Sequence, residues 1–326
     1  MNIYVTREIP EAGLKLLREK FGNFEMNTED RVLTREELLE KVKGRDGVLA
    51  LLTDQIDDEI LQAAGPQCKV FSNYAVGFNN IDVAAAGKRG IIVTNTPGVL
   101  TDATADLAIT LLFSCARSIV QADAFTREGK FHGWSPMLFL GQDITGKTLG
   151  IVGAGRIGSN VAVKMAKGFG MKILYVNESD VPELEKEINA KKVNLETLLR
   201  ESDFVSLHVN LTPQTKHMIG EKEFAMMKPS CVLINTARGP VVDEKALVKA
   251  LKTRTIFAAG LDVFENEPAL EPGLIDLPNV TIVPHIASAT LWTRSKMAEM
   301  AAQNLIDALE GKMPEFCVNR DQLQKR

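Results

Sequence analysis

The sequence predicts an α/β protein made of two doubly wound parallel-sheet domains with a cleft between them. Three observations lead there. At 326 residues the chain is too long for one ordinary core, so two domains are expected. Short continuous apolar runs, such as "GVLALLT" and "CVLINTA", alternate with amphipathic helical patterns. Unbroken apolar strands separated by helices belong to parallel sheets covered on both faces. Finally, the series of strands and helices begins afresh at Thr148.

In the first series, strand "NIYVT" is followed by helix "EAGLKLLREKFG", and "GVLALLT" by "DDEILQAAGP". "KVFSNYAVG", helical "IDVAAAGKRG" and strand "IIVTNT" complete it. One long apolar helix, "TADLAITLLFSCARSIVQADAFTREG", then reads as buried, because its apolar residues run nearly all round. The segment "KFHGWSPMLFLGQDITGK" is aromatic and irregular, an arm rather than a core element. The second series runs from strand "TLGIVGAG" and helix "RIGSNVAVKMAKGFG" through "KILYVNE", "FVSLHV", "CVLINTA" and "IFAAGLDVF" to "VTIVPH". The C-terminal helix "RSKMAEMAAQNLIDALEGK" comes too late to belong naturally to that second sheet. It is expected to return to the first. The predicted division is 1–101 with 286–326 as a discontinuous substrate domain, and 102–285 as a dinucleotide-binding domain.

Composition excludes several classes. Apolar residues make up 45% and charged residues 25%, the balance of a globular chain rather than a disordered one. A net charge of -4 and no basic tract with interleaved aromatics argue against nucleic acid and anionic membrane as partners. The longest apolar stretches are too short to span a bilayer, and the N-terminus lacks a cleavage-site pattern. The four cysteines, Cys68, Cys115, Cys231 and Cys317, are widely spaced, with no CxxC. They read as thiols of a reducing compartment, so a cytoplasmic location is expected. No zinc-type spacing occurs, and no metal is expected.

The chemistry begins at "GIVGAGRIGS", which contains Gly153, Gly155 and Gly158 in G-x-G-x-x-G spacing. The motif is weak alone. Here it follows an apolar strand and opens a helix, the context of a Rossmann-like dinucleotide site. Gly153 permits the tight turn, Gly155 lets backbone N–H groups approach a pyrophosphate, and Gly158 allows close helix–strand packing. About 20 residues further on, an acidic residue is expected to hold the adenosine ribose. Asn177 stands there, followed by Glu178. Asparagine can bind a hydroxyl, and no Arg or Lys lies between Lys172 and Lys186 to pair a 2′-phosphate. The expected cofactor is NAD, with NADP kept open.

Carbonyl reduction needs a cation for a carboxylate and the polarised carbonyl, an acid for the developing alkoxide, and a group to orient that acid. Three successive strands supply them at their carboxyl ends. "CVLINTA" leads to Arg238, "FAAGLDV" to Glu265 and Glu267, and "VTIVP" to His285. Ligands bind at that edge of open α/β sheets. Taken singly, each residue is more often a surface cation, a solvated cap or a structural imidazole. Their coincidence behind a cofactor fingerprint is the stronger signal. Arg238 can fork to a carboxylate, and His285 is the side chain most readily an acid near neutrality. Among the other histidines, His208 ends a strand on the cofactor side, His132 lies in the arm, and His217 in "QTKHMIG" lies away from a strand edge.

At this point the chain resembles the D-isomer-specific 2-hydroxyacid dehydrogenases. The motifs are "NYAVGFNNID", "NTPGVLTDATAD", "GKTLGIVGAGRIG", "LINTARGPVVDE", "GLDVFENEP" and "VPHIASAT", in order along nearly the whole chain. "NYAVG" and the "GW" of the arm are most similar to the glyoxylate and hydroxypyruvate reductase branch. The resemblance implies a homodimer built through the cofactor domains. It carries over Arg238, Glu267 and His285 as the catalytic set. It implies substrate carboxylate binding by the backbone N–H groups of Val76 and Gly77, with Ser288 near the substrate. Trp134 matches an arm aromatic able to reach the partner subunit's site, although packing of the arm explains it equally well. Thr104, Arg156, Ile157, Asn177, Val209, Asn210, Thr215, Thr236 and Asp262 match cofactor-contacting positions. Asn177 departs from the aspartate usual in NAD-preferring relatives, which bears on cofactor choice. The expected activity is reduction of glyoxylate or hydroxypyruvate, small 2-oxo acids, to D-2-hydroxy acids. D-lactate or D-3-phosphoglycerate dehydrogenase is the alternative within the class, and a non-catalytic NAD(H)-sensing binding protein the alternative outside it. In the expected cleft, substrate would draw the two lobes together, with hinges near Leu100 and Ile286.

Overall fold

In the computed structural model, which describes residues 1–323, the chain divides into two compact units. One comprises Met1–Leu100 and the segment from Ser288 onward, and the other comprises Thr101–Ala287. The final three residues of the expected 286–326 segment lie outside the described residues.

The first unit holds five strands: β1 (Ile3–Val5), β2 (Glu25–Met26), β3 (Gly47–Leu51), β4 (Val70–Tyr74) and β5 (Ile92–Thr94). They are all parallel, in the order β2-β1-β3-β4-β5. That is one of the two common doubly wound orders. Residues of β1 and β4 are buried throughout, which is why these strands read as continuous apolar runs. Local caps set the helix starts. Thr34 and Glu37 form a reciprocal capping box before Arg35–Val42, and Asp82 caps Val83–Arg89, which ends at left-handed Gly90. Helix Leu291–Leu309 packs on Glu11–Phe21, β3 and β4, so the chain's last long helix does return to the first sheet.

The second unit holds seven parallel strands: β6 (Thr148–Val152), β7 (Lys172–Val176), β8 (Lys191–Lys192), β9 (Phe204–Leu207), β10 (Val232–Asn235), β11 (Ala258–Leu261) and β12 (Val280–Ile282). Their order is β12-β11-β10-β9-β6-β7-β8. Counted within the unit, this is the Rossmann order 3-2-1-4-5-6 with a seventh strand added at one edge. The register pairs Asn235 with Leu261 and Leu261 with Ile282. The carboxyl ends of β10, β11 and β12 therefore lie side by side.

The expected single long helix after residue 101 is two helices, Thr101–Ala116 and Ile119–Arg127, bent by 61°. The returning arm causes the break. Gln142 N–H takes the Ala116 carbonyl at 2.8 Å, removing it from the helical ladder, and Ser118 sits at φ +50°. The first helix is largely buried, as its composition predicts, whereas the second has no buried residue. Residues 130–147 form an irregular arm whose apolar side chains, Phe131, Trp134, Met137 and Leu140, are exposed. Among the described residues no single helix is long and apolar enough to cross a membrane. All four cysteines are free thiols.

Candidate active site

The glycine turn is built as its sequence requires. Gly153 follows β6 at φ +96°, and a Cβ there would lie 2.7 Å from the His208 carbonyl oxygen. A Cβ on Gly158 would lie 2.1 Å from the Gly153 carbonyl oxygen, so helix and strand meet backbone to backbone. Gly155 faces open space within 4 Å of its Cβ position and stands at the cap of helix Arg156–Phe169. A phosphate can approach these N–H groups without meeting a side chain. Arg156 and Ile157 form the first turn of that helix.

The other cofactor-matching residues follow β7, β9 and β10 or lie on the helix packed against Arg156–Phe169. Asn177 follows β7, accepts the Ala154 N–H at 3.2 Å and donates to the Ser179 carbonyl at 3.1 Å. Val209 and Asn210 follow β9, and Thr215 donates its hydroxyl to the Asn210 carbonyl at 2.6 Å, closing that loop. Thr236 follows β10, and its buried hydroxyl oxygen has no partner among the described residues. An unsatisfied buried hydroxyl is costly, and a bound nucleotide is a ready partner for one placed here. Thr104 is buried in helix Thr101–Ala116, which packs on Arg156–Phe169. The residues fit a dinucleotide.

The three candidate catalytic side chains come together in this same unit. His285 donates from Nδ1 to Glu267 Oε2 at 2.9 Å, with the two side chains 27% and 31% exposed. The other Glu267 oxygen accepts the Phe264 N–H at 2.9 Å. With Nδ1 committed to the carboxylate, Nε2 is left as the nitrogen that can serve a substrate. Burial pushes the Glu267 carboxyl up. The His285 hydrogen bond and charge, the Phe264 N–H and the Arg238 charge outweigh it, leaving Glu267 below its ordinary range and ionised. Burial lowers the Arg238 guanidinium and the Glu267 charge supports it. Arg238 also donates to the Ala237 carbonyl at 2.7 Å.

Three further residues aim these groups. Asn235, almost fully buried at the end of β10, accepts the Ala237 N–H and donates to the Arg238 carbonyl, both at 3.0 Å. Gly239 lies against the backbone of Phe264, where a Cβ would be 1.9 Å from the Phe264 carbonyl carbon. Only glycine lets the Arg238 loop approach the Glu267 loop that closely. His285 itself adopts φ +53°, a left-handed conformation rare for a side chain of its size. The fully buried Asp262 holds it there. Its carbonyl accepts the His285 N–H at 2.9 Å, and its two carboxylate oxygens accept the N–H groups of Ile286 at 2.6 Å and Ala287 at 3.0 Å. Sequence reading missed Asn235 and Gly239 as site-builders. It matched Asp262 to a cofactor contact, and the structure adds that both its carboxylate oxygens accept N–H groups of the His285 loop.

His217 corrects the sequence-based placement. It lies against the site loops, since its N–H donates to the Pro240 carbonyl at 2.8 Å and its Nε2 pairs with Glu265 at 2.6 Å. The two glutamates of "FENEP" are thereby distinguished, with Glu265 taken by His217 and Glu267 by His285. His208 bonds the Ser206 hydroxyl at 2.9 Å, and burial pushes its imidazole down to about 4, so it is neutral near pH 7. In the first unit, Val76 and Gly77 are part-buried in the loop after β4. Ser288 is part-buried, and Trp134 on the arm is 84% exposed.

A nucleotide fold with a paired histidine and carboxylate, and an arginine beside them, defines a pyridine-nucleotide oxidoreductase for a carboxylate substrate. Residues 109–287 match the NAD binding domain of the D-isomer specific 2-hydroxyacid dehydrogenases. A glyoxylate reductase of Thermococcus litoralis is 54% identical over 325 residues, covering 98% of this chain and 97% of the relative. The crystal structure of a glyoxylate reductase from Paecilomyes thermophila superposes with a TM-score of 0.87 at 36% identity, covering 98% of this chain and 99% of that one. An NADPH-dependent glyoxylate/hydroxypyruvate reductase of Sinorhizobium meliloti, in complex with NADP and malonate, gives 0.84 at 32% identity, covering 97% and 96%. The chain belongs to the D-isomer specific 2-hydroxyacid dehydrogenase family and is an NAD(P)-dependent oxidoreductase.

Proposed function

We propose that the protein reduces glyoxylate, and hydroxypyruvate as a second substrate, to the corresponding 2-hydroxy acid. The observation that carries this reading is the Glu267–His285 pair beside Arg238, held by Asp262 and Gly239. The dinucleotide, when bound, would supply the hydride. The chain's own residues supply the rest. Arg238 binds the substrate carboxylate and draws electron density onto the carbonyl oxygen. His285, with its Nδ1 held by Glu267, donates a proton from Nε2 to the developing alkoxide. Glu267 keeps its charge through neutral pH and so holds the ring by its Nδ1–H. The N–H groups of Val76 and Gly77 and the side chain of Ser288 are the substrate-binding groups that the family resemblance assigns to the first unit.

Gly153, Gly155, Arg156, Ile157 and Gly158 hold the pyrophosphate. Asn177 serves the ribose, and Thr104, Val209, Asn210, Thr215 and Thr236 complete the cofactor contacts. NAD is the main cofactor, since no Arg or Lys lies between Lys172 and Lys186, and Lys192, the cation that reaches the loop after β7, is engaged by the Glu178 carbonyl at 3.3 Å and by Asp180 at 2.7 Å. A Sinorhizobium meliloti relative holds NADP. The unpaired cysteines suit a reducing, cytoplasmic setting. The exposed apolar arm suits a homodimer, with Trp134 turned to the partner.

The test is steady-state oxidation of NADH and of NADPH with glyoxylate, hydroxypyruvate and pyruvate, alongside His285→Ala. Turnover of glyoxylate with NADH is expected, and the variant should lose roughly 10²–10⁴-fold in kcat, the usual weight of one acid–base group. Near-normal turnover by His285→Ala would reject the assignment. A marked preference for pyruvate would move the reading to D-lactate dehydrogenase.

A further inference from the structure

We propose that Asn95 is a positioning residue for recognition of the substrate carboxylate, acting through the backbone of Val76 and Gly77. The proposal rests on the carboxylate-binding role given to those two residues above. Three successive carbonyls in the loop after β4 are tied down within the first unit. Ala75 C=O accepts the Thr96 N–H at 2.8 Å. Val76 C=O accepts the Asn95 side-chain amide at 2.8 Å. Gly77 C=O accepts the Asn73 side-chain amide at 2.9 Å.

In a trans peptide the N–H points opposite to the C=O of the same plane. Fixing these three carbonyls therefore fixes the direction of the N–H groups of Val76, Gly77 and Phe78, each opposite to the carbonyl of its own plane. None of those three N–H groups donates to an acceptor among the described residues. Consecutive unspent backbone N–H groups are available to bind an anion. Val76 and Gly77 are part-buried and Phe78 is exposed, so a ligand can reach them.

Asn95 is the one side chain that sets the plane carrying the Gly77 N–H. It can do so because it is itself held. Asn95 is only 8% exposed. Its N–H donates to the Phe316 carbonyl at 3.2 Å, and its carbonyl accepts the Asn304 amide at 3.1 Å. On the opposite side, Asn73 and Asn80 share hydrogen bonds at 3.2 and 3.4 Å, and Asn80 donates to the Leu51 and Asp54 carbonyls. Without Asn95 the part-buried Val76 carbonyl would lose its partner, and the Val76–Gly77 peptide would be free to rotate.

The test compares Asn95→Ala and Asn95→Ser with the parent enzyme. The readouts are thermal midpoint, NADH affinity by fluorescence, KM and kcat for glyoxylate, and calorimetric binding of oxamate to the NADH complex. The variants should fold and bind NADH as the parent does. Glyoxylate KM and oxamate Kd should both rise about 10- to 100-fold, the weight of a misaligned hydrogen bond to a charged group, with a smaller change in kcat. Folded variants with parental KM and oxamate affinity would overturn the proposal and leave the reductase reading intact. Failure of both variants to fold would also overturn it, since Asn95 would then be a determinant of the fold. A parent that oxidises neither coenzyme with glyoxylate removes the reductase reading, and this proposal with it.

Discussion

His285 and Glu267 work as one unit because each limits what the other can do. The imidazole spends Nδ1 on the carboxylate, and the carboxylate spends its second oxygen on the Phe264 N–H. Glu267 therefore lies below its ordinary range, although burial alone would raise it. The sign of the pH effect follows. A carboxyl depressed by folding stabilises the native state above its unfolded pKa, and that stability is lost as pH falls through the folded value. Glu267→Gln should thus lower the thermal midpoint relative to the parent at neutral pH, with the gap closing below about pH 4. Thermal melts of both proteins across that range check it. The same variant should lose roughly 10²-fold or more in kcat, because an amide can present its NH₂ and misdirect the imidazole tautomer. A gap that widens on acidification would mean that Glu267 is not ionised beside His285.

At the scale of elements, three neighbouring parallel strands end in three loops, and two close approaches decide where those loops go. Gly239 against Phe264 sets the distance between the arginine and glutamate loops. Asp262, at the end of β11, reaches across to the loop after β12 and holds His285 at positive φ. Gly239→Ala is expected to cost about 1–3 kcal/mol through overpacking. It should also lower kcat/KM on glyoxylate by more than that stability loss explains, because a displacement of about 1 Å at a reacting group is worth roughly 10²-fold. Denaturant unfolding and steady-state kinetics measured on one preparation separate the two effects. A variant that unfolds more readily but keeps full kcat/KM would show that the loop spacing does not matter to catalysis.

For the whole molecule, the arm is the feature a single chain leaves unexplained. Phe131, Trp134, Met137 and Leu140 are 56%, 84%, 74% and 60% exposed, and a cluster of that kind is expensive to leave in water. A second copy of the chain is its proposed cover. Sedimentation equilibrium should give twice 35.7 kDa for the parent. Met137→Asp combined with Leu140→Asp should shift the protein toward monomer. A monomeric parent at micromolar concentration would remove the dimer reading and, with it, any contribution of Trp134 to a partner.

The strand series and the nucleotide turn were legible in the amino-acid order, because each depends on local chemistry, and so were the strand ends that carry Arg238, Glu267 and His285, the three residues proposed for catalysis. Parallel strands covered on both faces leave continuous apolar runs, a tight phosphate turn needs glycine, and post-strand loops place reactive groups at one sheet edge. What stayed illegible depends on partners far along the chain. The break at Ala116 needs Gln142, the division of labour between Glu265 and Glu267 needs His217, and the aiming of His285 needs Asp262. Asn95 looked like part of an ordinary strand end until its amide met Val76. Sequence by itself determined which groups were available and on which strands they sat. Only the tertiary structure decided their hydrogen-bond partners, because partnership is a matter of distances that close when separated segments pack.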